Sequence, residues 1–174
     1  MTVRANAGAS WSSDSRRFAF AAIEPGHNVR VYMEDIRERK PRPVTPDLQV
    51  PMFAVAGDGA IAVVPAGADR IHLLGQDGTD RGEVRGALSG EVPIRFAADG
   101  RLLVRSALQN GPMSVYAVNL ASGQRTLWKK LGPEDRAGVS QQPSSGLVVT
   151  PDLKYYAYTY GALISQLFVA RNLR

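Results

Sequence analysis

Phe96-Ala97-Ala98-Asp99-Gly100-Arg101, running at once into the apolar Leu102-Leu103-Val104, decides the fold of this chain because the same grammar recurs elsewhere. It returns at Trp11-Ser12-Ser13-Asp14-Ser15-Arg16, at Val55-Ala56-Gly57-Asp58-Gly59-Ala60 and at Val149-Thr150-Pro151-Asp152-Leu153-Lys154. The steps between the aspartates are 44, 41 and 53 residues, so four copies of one unit occupy the 174-residue chain. A period of about forty residues with several short strands per unit is the pattern of a β-propeller blade. Such a unit cannot bury both its faces alone, and stacking on its neighbours completes the core.

Each copy continues alike. A first strand is expected at Arg17-Phe18-Ala19-Phe20-Ala21-Ala22, Ala60-Ile61-Ala62-Val63-Val64, Leu102-Leu103-Val104 and Tyr155-Tyr156-Ala157-Tyr158. Turns rich in Gly, Pro and Asn follow at residues 24–28, 66–69 and 109–112. The chain returns as Val29-Arg30-Val31-Tyr32-Met33, Ile71-His72-Leu73-Leu74, Val115-Tyr116-Ala117-Val118 and Leu167-Phe168-Val169-Ala170. Tyr32, His72, Tyr116 and Phe168 share one register, which supports the alignment independently of the aspartates. Period-two apolar patterning bounded by turn residues is the strand-and-hairpin signal.

A third, more polar strand is expected at Arg42-Pro43-Val44-Thr45, residues 81–85 and residues 125–129. Proline and charge suit an outer edge, where no ladder bond is lost and pairing with other sheets is discouraged. The inner strand precedes each aspartate, at residues 9–11, 52–55, 93–96 and 146–149. The reading is an all-β single domain over residues 1–174, with blades at 7–47, 48–88, 89–133 and 134–174. Asp14, Asp58, Asp99 and Asp152 are its structural turns: an aspartate side chain accepts nearby backbone N–H groups, and Gly59 and Gly100 supply positive φ.

Composition excludes some chemistry. With no cysteine there are no disulfides, thiol nucleophiles or cysteine-based metal sites, and the compartment is left open. The start, Met1-Thr2-Val3-Arg4-Ala5-Asn6, lacks a signal peptide's apolar centre, and no run approaches the length of a membrane span. The net charge of +5 is mild, and its densest stretch is Arg37-Glu38-Arg39-Lys40-Pro41-Arg42. Basic clusters supply phosphate affinity. Interleaved Glu38 and prolines favour a solvated hairpin tip, so no nucleic acid is expected.

Each catalytic candidate has a plainer explanation. His27 lies in a turn, and His72 fills the slot of Tyr32, Tyr116 and Phe168, as a packing residue would. Gly138-Val139-Ser140-Gln141-Gln142 lacks the second glycine of a nucleophile elbow. Gly57-Asp58-Gly59 leads into a strand, unlike a dinucleotide fingerprint. Gln76-Asp77-Gly78-Thr79-Asp80 lacks the terminal glutamate of a calcium loop and reads as an Asp-Gly hairpin. No catalytic residue, cofactor or metal is expected.

The aspartate turn with its Tyr-Val or Val-Tyr second strand resembles the TolB-like or WD-type propeller repeat. Residues 115–125, Leu127-Trp128-Lys129, Pro133-Glu134-Asp135-Arg136-Ala137-Gly138-Val139, residues 149–158 and Ser165-Gln166-Leu167-Phe168-Val169-Ala170 narrow it. These are similar to the C-terminal propeller of membrane-bound bacterial serine/threonine protein kinases of acidobacterial type. The resemblance implies a sensor or scaffold domain with a protein or peptide ligand, on the periplasmic or extracytoplasmic side of a membrane-anchored parent. The kinase motifs themselves are not in this sequence. The alternative is an accessory propeller of a prolyl-oligopeptidase-type serine peptidase. Such propellers usually carry about six blades, so four repeats imply an open arc. Its end blades are expected to expose apolar faces around Trp11 and Phe20 and around Tyr156 and Leu167, and to self-associate.

Overall fold

The computed structural model describes residues 5–11, 16–106, 112–132, 139–140, 147–159 and 161–162. All of their regular structure is β. The first sheet is a four-stranded antiparallel meander of β1 (Ala5–Trp11), β2 (Arg17–Ile23), β3 (Val29–Asp35) and β4 (Arg42–Pro43). The second is β5 (Leu48–Val55), β6 (Ile61–Pro65), β7 (His72–Leu74) and β8 (Asp80–Glu83). The third is β9 (Val92–Phe96), β10 (Leu102–Arg105), β11 (Met113–Val118) and β12 (Arg125–Leu131). In each, strands pair strictly in chain order, as the repeat demanded.

The fourth repeat contributes β13 (Val139–Ser140), β14 (Leu147–Val149), β15 (Tyr156–Tyr158) and β16 (Gly161–Ala162). They form two pairs, β14 with β15 and β13 with β16. The latter pair was not foreseen, because two residues carry no periodicity to read. The strand expected at 167–170, with Phe168, lies outside the described residues, as do the Asp14 turn and residues 109–111 of the third repeat's turn.

The shared register is visible in the pairing. Tyr32 stands opposite Phe20, His72 opposite Val63 and Tyr116 opposite Val104. Successive side chains on a strand point to opposite faces, and here the two faces meet different neighbours. Ile61 and Val63 of β6 join Ala19, Ala21, Val31 and Met33 of the first sheet, whereas Ala62 and Val64 join Leu102, Val104 and Val118 of the third. Leu103 faces the other way, with Val115, Ala117 and Val149 of the fourth repeat. All of β10, and all of β6 except Pro65, is thus buried on one side or the other. Burying one such valine or leucine contributes about 1.5–3 kcal/mol.

Alanines at 19, 21, 54 and 62, all buried, let the sheets approach closely. Inner strands carry the packing from sheet to sheet: β5 lies on the first sheet, β9 on β5 and β6, and β14 on β9. The sheets are therefore stacked side by side, the second and third each a layer between two others. This is a β-propeller arrangement with open, unclosed sheets.

Candidate functional site

The strand connections divide into two ends. At one end lie the turns after β5, β9 and β14, together with the outer tips after β3, β7 and β11. Three repeat aspartates there make one and the same bond. Asp58 Oδ1 accepts the Ala60 N–H at 3.0 Å, Asp99 Oδ1 the Arg101 N–H at 3.1 Å, and Asp152 Oδ1 the Lys154 N–H at 3.2 Å. The residue between has positive φ each time: 84° at Gly59, 83° at Gly100 and 61° at Leu153. Asp99 also takes the Arg101 guanidinium, and that bond and the Arg101 N–H hold its carboxyl below the usual carboxylate range. Asp152 is lowered by the Thr150 hydroxyl at 2.6 Å and the Lys154 N–H. The Asp14 turn lies outside the described residues.

Between the first two sheets this rim opens into a shallow groove of about 280 Å³, lined by Arg42, Asp58, Gln76, Asp77 and Arg81. Arg42 pairs with Met33 and so projects from the face turned to the second sheet. The β7–β8 tip leans over to meet it, and a Cβ on Gly78 would sit 3.1 Å from the Val44 carbonyl. Buried Gly75 leaves room for Asp77 and Arg81, since a Cβ there would lie 2.6 Å from Asp77 Oδ1 and 3.4 Å from Arg81 Nη2. Arg81 reaches Asp58 Oδ2 at 3.7 Å, a loose pair in which both side chains are at least half exposed. Arg42 makes no ion pair among the described residues. The Thr79 N–H holds the Asp77 carboxyl below its ordinary value.

Beside the groove stands the β3–β4 tip. Asp35 accepts the Arg37 N–H at 2.9 Å through its carboxylate and the Glu38 and Arg39 N–H groups through its carbonyl, both at 3.0 Å. Arg16 clamps the same carboxylate at 2.7 Å. Arg39 accepts a φ of 50°. The tip is a built turn whose cations, Arg37, Arg39 and Lys40, are all exposed.

Both histidines bond to aspartates. His72 Nδ1 lies 2.9 Å from Asp80 Oδ2, and His27 Nδ1 lies 3.2 Å from Asp47 Oδ1. Asp80 is lowered chiefly by the Gly82 N–H, with His72 adding to it. His72 is thus more than a packing residue, and its partner sits eight positions on, across the β7–β8 hairpin. Ser140 lies in β13, and its side chain is outside the described residues. The groove went unread although each of its residues was named, because they come from three separate segments that read singly as a basic run, a turn and a hairpin.

Stacked antiparallel meanders joined in chain order define a β-propeller. Among solved structures the chain resembles TolB from Acinetobacter baumannii, with a TM-score of 0.61 at 15% identity, over 90% of this chain and 37% of that one. It also aligns with an oligogalacturonate lyase in complex with manganese, at a TM-score of 0.36 and 13% identity, over 84% of this chain and 56% of that one. No family model and no curated protein matches the sequence. The fold is therefore TolB-like, and the chain spans 37% of the length of that TolB.

Proposed function

We propose that this chain is a non-catalytic binding module whose turn-end rim receives a protein or peptide. In this reading it forms part of the C-terminal propeller of a bacterial serine/threonine protein kinase. One observation carries the binding role. The residues that repeat at the rim, Asp58, Asp99 and Asp152, each turn an oxygen inward to their own backbone. The groove is lined by Arg42, Gln76, Asp77 and Arg81, together with Asp58, whose turn bond uses only one of its two oxygens. Backbone bonds from the repeated aspartates hold the scaffold, and the side chains lining the groove are left for recognition, as is usual when function is grafted on a common fold. The kinase assignment rests on the sequence resemblance alone.

Two experiments test this. The purified chain, supplied with ATP or a chromogenic ester, is expected to turn over neither; turnover abolished by His72→Ala or Ser140→Ala would overturn the non-catalytic reading. Sequencing the gene on both sides of this segment tests the parent. Kinase motifs and a hydrophobic span upstream support the proposal, whereas a G-x-S-x-G segment downstream points to the peptidase alternative.

A further inference from the structure

Resting on that reading, we propose that the groove between the first and second sheets, with the basic β3–β4 tip beside it, binds an acidic segment of an extended peptide. Arg42 and Arg81 line the groove, and Arg37, Arg39 and Lys40 crown its edge. Carboxylate side chains of the peptide meet the guanidiniums, whose planar forks pair with carboxylates in bidentate fashion. Among the described residues Arg42 is without an ion-pair partner. Arg81 is held only by the 3.7 Å contact to Asp58. Neither needs to give up a strong bond to bind.

The groove's other groups choose the class of partner. Gln76 offers both a donor and an acceptor, and Asp58 Oδ2 and Asp77 offer acceptors, which suits the N–H and C=O groups of a peptide backbone. The same two carboxylates, with Glu38 in the tip, repel a continuous phosphate chain. A nucleic acid would meet those charges at close spacing, whereas a peptide can place its acids beside the arginines and its amides beside the aspartates. The framework is preorganised. Asp35 fixes the tip through three backbone N–H groups and Arg16, and Gly78 seats the second sheet's tip against Val44. Little ordering is left to pay for on binding.

Fluorescence anisotropy with the 174-residue chain tests this. The probes are a labelled Glu-Gly repeat peptide, the matching Lys-Gly peptide and a labelled oligothymidylate. The Glu-Gly peptide should bind, more weakly as salt rises, and Arg42→Gln or Arg81→Gln should each weaken it roughly tenfold. Lys40→Gln at the tip should weaken it less, and Arg70→Gln, at the opposite end of the second sheet, should leave it unchanged. Unchanged thermal unfolding of each variant confirms that the fold is intact, and these exposed side chains give no reason for it to fail. Equal losses with Arg70→Gln would reduce the effect to net charge and overturn the proposal, as would no binding of the Glu-Gly peptide or tighter binding of oligothymidylate. Binding of the Lys-Gly peptide instead would overturn the acidic selectivity while the binding-module reading stood.

Discussion

Gly59, Gly100 and Leu153 occupy one position of the repeat, directly after the turn aspartate, and all lie in the left-handed region. At Gly100 nothing within 4 Å would meet an added Cβ, so Gly100→Ala isolates the backbone cost. It should destabilise the chain by about 1 kcal/mol, measured by urea unfolding, and a neutral result would contradict the turn geometry. Leu153 bears the same strain while packing against the third cluster, with Val149 and Leu131. The rim carboxylates carry a pH signature. Asp35, Asp77, Asp80, Asp99 and Asp152 are all lowered in the folded chain, mainly by hydrogen bonds from nearby groups. A depressed folded value means that the unfolded chain binds protons first, so the stabilisation is complete above the unfolded value of about 4. It disappears as pH falls through the folded values. The thermal midpoint should fall as pH drops below about 4, and Asp99→Asn should lessen that fall; an unchanged slope in Asp99→Asn would mean that Asp99 contributes nothing to it.

Between elements, the second and third sheets are locked by a linker. Glu91, only 3% exposed, receives Arg125 through two bonds of 2.9 and 2.7 Å. The Leu88 N–H donates to the same carboxylate at 2.8 Å, and Arg125 also lies 3.8 Å above the Tyr116 ring. Burial pulls the Arg125 guanidinium down, but Glu91 overcomes this and raises it. Beneath them Gly86 and Gly123 touch backbone to backbone, so a Cβ on Gly86 would collide with the Gly123 carbonyl. Glu91→Ala should cost about 3 kcal/mol, the low end for breaking a buried pair because Arg125 stays 21% exposed. Glu91→Gln should cost less, and equal losses would mean that charge is not the reason. Strands such as β6 and β10 were legible because each is an unbroken apolar run between turn residues. The lock was not, because Glu91 and Arg125 stand 34 residues apart and either one alone reads as a surface charge. A comparable separation in sequence hid the groove, whose two arginines sit on strands of different sheets.

At the scale of the molecule, stacking leaves the end sheets with one neighbour each. Trp11 is 61% exposed at one end, and Val148 and Tyr155 are 68% and 72% exposed in the fourth repeat. Phe20 is only partly exposed and Tyr32 is fully buried, so the first sheet's outward face is more covered than an unbroken apolar face would be. Trp11, Phe18, Phe20 and Tyr32 run across it as a ladder with ring centroids 5.4–5.6 Å apart. Exposed apolar residues at sheet edges invite association. Light scattering should show the isolated chain growing with concentration, and Trp11→Ser with Tyr155→Ser should reduce that growth; a monodisperse monomer at high concentration would mean that the ends are satisfied. The fourfold aspartate spacing made the architecture readable from sequence, because a repeated unit repeats its turn chemistry. It could not reveal how the fourth repeat pairs, since β13 and β16 are each two residues long.

The second and third sheets are each a layer between two others, with the two faces of one strand meeting different repeats. Methyl–methyl nuclear Overhauser contacts from β6 test it most directly. Contacts are expected from the Val63 methyls to Val31 and Met33 of the first sheet, and from the Val64 methyls to Leu102 and Val104 of the third, without exchange between the two sets. Val63 and Val64 contacting the same repeat, or Val63 reaching Leu102 and Val104, would describe a two-layer sandwich and contradict the propeller.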